Sequence, residues 1–402
     1  MLEQKHCSDN IQVNNEIENL LFSITTQVQY QLANNSISLT NGLSSDILFL
    51  FNVNKFYPSR LPNDLIERLL IALFDKVEDA RLDASLADGI SGLGWLLDHV
   101  GVNDVTDYND DIDDCLLEIL SSENEQHEFD LLYGLVGIGI YGVNRISKPS
   151  GSLICQKVFS RLIKYSESHQ DKIFWLSSQD SIFFRNDLPS PQADLGLAHG
   201  NLGVLGLFIK FYEAGVYTSE CKVAINKLVC YLKEQRLADG NISTFSSHST
   251  SEKTSLLGWC YGDLSSSLLL IKAGKLLNQK NIREFGIAIA IKTLKRDVTS
   301  ESINDGSLCH GAAGIALIYT RLYQETNIQE FQKASLSWAN YLIDKSNGGQ
   351  CLDNLMRKHK TTAEPYSGEG VLIGYPGIGL ALLSIIQPEA SGWDQFLLLS
   401  KN

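Results

Sequence analysis

Two cysteines and a histidine stand where chemistry could begin. Cys309 and His310 are adjacent in Leu308-Cys309-His310-Gly311-Ala312-Ala313-Gly314, just ahead of an apolar run from Ile315 to Tyr319. Cys260 has a similar setting in Gly258-Trp259-Cys260-Tyr261-Gly262. Thiolate and imidazole are preferred zinc ligands, and three of them leave a fourth position open, as catalytic zinc requires. Neither stretch offers a fourth ligand that a structural site would need. No C-x-x-C pair occurs in the chain, and buried thiols are also ordinary core residues. Spacing alone therefore leaves metal binding and packing both open.

The elements that must position these residues repeat along the chain. A glycine, two residues, then a second glycine or serine precede or open an apolar run six times, with lead glycines at Gly89, Gly134, Gly200, Gly262, Gly311 and Gly374. The irregular spacing fits a helical hairpin plus a variable loop. Glycine-led segments are apolar nearly all round and read as inner helices. The segments between them carry one stripe, as in Ile225, Leu228, Val229 and Leu232, and read as outer helices. Six such pairs can close into an all-α double barrel. The lead glycine would allow a positive φ at helix entry, and the second would let neighbouring inner helices approach.

In such a ring the inner helices run parallel, so their N-termini crowd one end. The residues just before the lead glycines then share one mouth: Asp88, Tyr133, His199, Cys260 with Tyr261, Cys309 with His310, and Ile373, with Asp130 one turn upstream of Tyr133. Helix N-termini favour anions there. From the residues alone, His199 reads as a cap or packing residue before it reads as a catalyst. Asp130 likewise reads as an N-cap, and Trp259 as core.

Composition bounds the rest. The 402 residues carry a net charge of -14, which argues against a nucleic-acid partner. Apolar residues make up 44% of the chain, enough for a large core, and 8 prolines suit long regular elements. Eight scattered cysteines do not form a secreted disulfide framework, and Met1 to Asn10 has no apolar core of a signal peptide. A cytoplasmic protein is expected. The apolar run Val371 to Ile386 is broken by glycines and a proline and falls short of a membrane span. One domain over 1–402 is expected, with 1–12 frayed, a helix over 13–34, and an insert at 171–193. A rim loop is expected over 240–257. The basic cluster Arg357, Lys358, His359 and Lys360 reads as a solvated loop.

Glycine-led helices bearing His199-Gly200, Trp259-Cys260-Tyr261-Gly262 and Cys309-His310-Gly311, in that order, resemble the lanthionine synthetase C-like family. Within it the chain is most similar to the stand-alone cyclases of lantibiotic biosynthesis, over about residues 60 to 390. The resemblance implies an α/α toroid of six inner and six outer helices. It implies Zn2+ on Cys260, Cys309 and His310, and His199 as the catalytic histidine. Asp130 matches the acidic position ahead of the second inner helix, and Trp259 and Tyr261 match the aromatic pair around the first zinc cysteine. One departure stands out. Family cyclases commonly carry arginine four residues before that cysteine, where this chain has Leu256.

The reaction implied is addition of a peptide cysteine thiol to a dehydroalanine or dehydrobutyrine in the same peptide, closing a (methyl)lanthionine ring. A free thiol, with a pKa of roughly 8.5, is little ionised at neutral pH, and zinc deprotonates it. His199 would protonate the resulting enolate, Asp130 would orient His199, and Tyr261 would donate to the enolate oxygen. The partners implied are a dehydrated precursor peptide and a separate dehydratase, with an exporter beside them, and membrane association only through such partners. Two alternatives remain: addition of a small thiol such as glutathione to dehydrated residues, and a zinc-stabilised peptide-binding protein without turnover. A glycosidase would use paired carboxylates, for which Asp88, Asp130, Asp263 and Glu369 are available, but it leaves the thiols without a role.

Overall fold

In the computed structural model, described for all residues except 1, 33–35, 102–105, 123–127, 182, 300–302, 359–361, 363–364, 388, 391 and 401–402, helices dominate. In chain order the first are α1 (Leu2–Tyr30), α2 (Leu43–Phe56), α3 (Leu65–Glu78), α4 (Ile90–Val100) and α5 (Thr106–Ile119). Next come α6 (Leu135–Asn144), α7 (Pro149–Tyr165), and a short hairpin of β1 (Glu167–His169) and β2 (Lys172–Phe174). Then follow α8 (Asn201–Glu213), α9 (Thr218–Glu234), α10 (Asp263–Leu276) and α11 (Lys280–Thr293). The last are α12 (Ala312–Thr326), α13 (Gln329–Lys345) and α14 (Tyr375–Ile386). Helix α1 takes in residues that the sequence reading leaves frayed and ends before the expected 34. The strand pair begins ahead of the expected insert, with Ser168 opposite Ile173. Residues 240–257 are a loop, as expected.

The chain divides into two compact units, Met1–Arg81 with Arg296–Trp393, and Leu82–Lys295 with Asp394–Asn402. In the first unit, α12, α14 and α2 pack side by side, with α13, α1 and α3 outside them. In the second, α4, α6, α8 and α10 pack in sequence order, with α5, α7, α9 and α11 outside. Burial follows the sequence pattern. Helix α6 is buried from Leu135 to Val143, and α8 from Asn201 to Phe211. Outer α3 buries only Leu65, Leu69 and Leu73, and α13 buries Phe331, Trp338 and Leu342 at helical spacing. Buried serines in α10 are no exception, because Ser265, Ser266 and Ser267 donate back to Trp259 O, Gly262 O and Leu264 O.

Among the described residues the glycine-led helices number seven, not six. The additional one is α2, led by Gly42 in the same extended conformation as every other lead glycine but Gly262. Its Gly42-Leu43-Ser44-Ser45 has serine at the second small position and a polar start, which hides it from an apolar G-x-x-G pattern.

One device caps six of these helices, all but α10. No side chain caps them; the carbonyl six residues before the lead glycine accepts the first helical N–H instead. Ile90 N donates to Asp83 O (2.8 Å), Leu135 N to Glu128 O (2.8 Å), and Asn201 N to Asp194 O (2.9 Å). In the first unit Leu43 N donates to Ser36 O (2.9 Å), Ala312 N to Asp305 O (3.2 Å), and Tyr375 N to Gly368 O (2.7 Å). The loop must curl back against the lead glycine to do this. A Cβ on Gly134 would overlap Glu128 O, and one on Gly374 would overlap Glu369. Space, then, is the reason for glycine. The positive φ expected at entry occurs only at Gly262 among the lead glycines (φ 101). The second glycine serves the same loop rather than a neighbouring helix: a Cβ at Gly137, Gly314 or Gly377 would run into the carbonyl of Leu131, Leu308 or Val371.

Within each unit the loops are then stitched to one another. In the second, Leu86 N and Ala87 N donate to Leu132 O (3.1 and 2.9 Å), Leu131 N to Ala198 O (3.0 Å), and Leu197 N to Cys260 O (2.8 Å). In the first, Cys309 N donates to Leu372 O (2.8 Å). The inner-helix N-termini of each unit therefore lie at one end of it, as the repeat predicts.

Candidate active site

His199 and Asp130 sit on adjacent loops of the second unit. His199 Nδ1 is 3.4 Å from Asp130 Oδ2, with the two side chains 16% and 3% exposed. Asp130 Oδ1 accepts the Tyr133 N–H at 2.6 Å. Asp130 is thus no helix cap: one oxygen fixes the turn before Gly134, which fixes where the other meets the imidazole. The next loop carries Cys260, buried, with its carbonyl bound to Leu197 N two residues from His199. Trp259 is fully buried and donates from Nε1 to Leu397 O (3.0 Å), so it anchors the cysteine loop from the core side.

Tyr261 has a partner that the sequence reading does not name. Its hydroxyl donates to Asp194 Oδ2 at 2.7 Å. Burial, then Asp194 itself, raises the phenol well above its usual range. Asp194 is fully buried; burial raises its carboxyl, against the pull of His248 and the Tyr261 hydrogen bond. Its Oδ1 accepts Gly196 N (2.6 Å). His248 is 2% exposed, with Nε2 3.5 Å from Asp194 Oδ2, and burial lowers its pKa more than Asp194 restores it.

Sequence reasoning missed Asp194 and His248. For Asp194 a signal exists. Asp83, Asp194 and Asp305 each lie six residues before a lead glycine, and each accepts the N–H two residues on, from Ser85, Gly196 and Ser307 (2.8, 2.6 and 2.9 Å). The recurrence marks a turn, and at Asp194 the second oxygen is left to face Tyr261. For His248, inside a serine-rich loop, no such signal exists.

In the first unit, Cys309 and His310 occupy the same loop positions that Cys260 and Tyr261 hold before α10. Both are partly buried. His310 Nε2 is 3.8 Å from Asp305 Oδ2. Neither Cys260 nor Cys309 is in a disulfide. Cys260 in the second unit, and Cys309 with His310 in the first, offer two thiols and an imidazole, donor types that suit zinc. Leu256 is 56% exposed and brings no charge to the Cys260 loop. Asp263 is structural: its oxygens accept Thr244 N and Phe245 N (2.6 and 3.0 Å). Within the basic cluster, His359 and Lys360 lie outside the described residues.

The sequence model of the family described as lanthionine synthetase C-like protein matches residues 33–398. The chain belongs to that family. Among solved structures, this lanthionine synthetase C-like chain is similar to one named nisin cyclase, at 18% identity and a TM-score of 0.74, over 95% of this chain and 97% of that one. It is also similar to cellobiose 2-epimerase from Bacillus thermoamylovorans, at 12% identity and a TM-score of 0.51, over 94% and 100%. These likenesses establish the fold of the lanthionine synthetase C-like chain, the α/α toroid that the resemblance implied. An epimerase with a similar fold shows that the architecture alone does not choose the reaction.

Proposed function

We propose that the chain is a thioether-forming peptide cyclase, adding cysteine thiols to dehydroalanine or dehydrobutyrine within one precursor peptide. The observation that carries the reading is the His199–Asp130 pair, on the loop next to the one that carries Cys260. Cys260, Cys309 and His310 would hold zinc, whose chemistry is to keep a substrate thiol ionised near neutral pH.

The chain's own residues supply the rest. Addition forms the C–S bond at the alkene β-carbon, and the electron pair moves to the α-carbon and its carbonyl as an enolate. His199 delivers the proton to the α-carbon. Asp130, at 3.4 Å from Nδ1, accepts the Nδ1–H, so the ring gives up its proton from Nε2 and the Nδ1–H tautomer is what remains. Tyr261 has its proton in a bond to buried Asp194, so it shapes the Cys260 loop rather than serving the enolate.

One observation favours this reading over a rival. A zinc-held scaffold without turnover gives the His199–Asp130 pair nothing to do. The chain is accordingly read as a cytoplasmic enzyme that receives its peptide from a separate dehydratase, with an exporter as a further partner. Among the described residues no helix is long and apolar enough to cross a membrane.

Metal analysis tests the ligand set. One zinc per chain is expected in the purified protein. Stoichiometric zinc that persists in the Cys260→Ala, Cys309→Ala double variant would contradict it.

A further inference from the structure

Residues 175–194 leave β2 and return to the start of α8, and one side chain holds both ends. Asn201, fully buried, accepts Trp175 N at Oδ1 (2.9 Å) and donates from Nδ2 to Trp175 O (2.9 Å) and Asp194 O (2.8 Å). Inside the loop, Ser177 N donates to Gln192 O (2.9 Å), and Gln192 Nε2 donates to Arg185 O (3.0 Å). The tip turns on Phe184 N to Ser181 O (3.0 Å), and the Ser181 hydroxyl bonds the Glu128 carboxylate. A loop tied at its base, waist and tip has little freedom left to lose when substrate binds.

That loop lays Phe183 flat on His199. Their ring centroids are 3.6 Å apart and the planes 17° from parallel. Phe183 also stacks on Tyr133, at 5.8 Å and 25°. Tyr133 in turn gives its backbone N–H to Asp130 Oδ1, while Asp130 Oδ2 faces His199 Nδ1. The imidazole is thus held at one edge by a carboxylate and on one face by a phenyl ring, and both holders are tied to Tyr133. Asp130 alone fixes a nitrogen but leaves the ring free to rotate about that contact. A flat ring against its face removes the rotation.

We propose that Phe183 is a positioning residue for His199, setting the tilt of the imidazole toward the α-carbon it protonates. The inference rests on the reading of the chain as a cyclase for its kinetic consequence, though not for the stack itself. Phe183 is only partly buried and sits on a loop, so its replacement leaves the helical core intact.

Two measurements test it. Histidine-labelled full-length protein is observed by proton–carbon NMR, with His199→Asn identifying the His199 ring signals. In Phe183→Leu these signals move downfield as the ring current is lost, and in Phe183→Tyr they stay near their original place. Unmoved signals in Phe183→Leu overturn the inference, whatever the activity. Ring closure on a dehydrated peptide gives the second readout. Phe183→Leu lowers kcat by about 10- to 100-fold at nearly constant KM, and Phe183→Tyr recovers most of the loss. A change in KM alone, or equal rates in the Leu and Tyr variants, overturns it. Absence of ring closure by the parent protein refutes the cyclase reading instead, and leaves the NMR result to decide the stack.

Discussion

Tyr261 donates its hydroxyl proton to Asp194 Oδ2 across 2.7 Å, in a setting where Asp194 is 2% exposed. The bond commits the hydroxyl to the protein and satisfies a carboxyl that burial has made costly. Tyr261→Phe should therefore lower stability, by roughly 1–3 kcal/mol for a buried acceptor left short of a donor, as read from chemical denaturation. Ring closure should slow less than in His199→Asn. A Tyr261→Phe enzyme as slow as His199→Asn would make Tyr261 the proton donor.

His199 lies outside the proposed ligand set, so His199→Asn should retain zinc and fold while slowing ring closure by roughly 10²–10⁴-fold, the range for loss of a general acid. Asp130→Asn keeps an acceptor for Tyr133 N–H but removes the charge beside the imidazole, and should slow the reaction by a smaller factor. Metal content measured alongside the rate separates the roles. Loss of zinc in His199→Asn would show that the histidine supports the metal.

A pH dependence of stability follows from Asp46, in the first turn of α2. Burial, and secondarily Glu369, raises its carboxyl to about 7. An unfolded Asp titrates near about 3.9, so between these values the folded state holds a proton that the unfolded state has lost. Stability then falls as pH rises from about 4 to about 7 and is level above that, by at most about 4 kcal/mol. Asp46→Asn should flatten this slope and exceed the parent in melting temperature at pH 8. Parallel curves for the two proteins would refute the assignment.

Two glycines separate steric overlap from backbone strain. Gly262 has φ 101, and its Cβ would overlap Leu256 O; Gly101 has φ 71 with nothing within 4 Å. Each alanine variant suffers the unfavourable φ, worth roughly 1–3 kcal/mol. Only Gly262→Ala must also displace the loop that carries Cys260 and Tyr261. It should unfold at clearly lower denaturant than Gly101→Ala, and equal midpoints would contradict the overlap.

The repeat was legible because burial imposes it. Helices buried on every side must be apolar throughout, and a loop curling onto a helix start leaves room for glycine alone. The copy led by Gly42 escaped because serines can be buried when they bond back to the backbone, as Ser44 does to Ile37 O (2.6 Å). Cys260, Cys309, His310 and His199 stood out as candidates by residue type and by their place just before a lead glycine, and Asp130 by its place one turn upstream of Tyr133. Asp194, His248 and Phe183 were not, because their roles arise from packing between segments. Phe183 in particular comes from a stretch whose sequence suggests only an insert, and it reaches His199 because Asn201 clamps that stretch at both ends.

The central claim is tested most directly by trapping thiols on a dehydrated, cysteine-containing precursor peptide at mildly acidic pH. Ring closure leaves the peptide mass unchanged but removes its alkylatable thiols. The account predicts that the zinc-loaded protein accelerates thiol loss and that the Cys260→Ala, Cys309→Ala variant does not. Equal thiol loss with and without the protein over the same time course would contradict it.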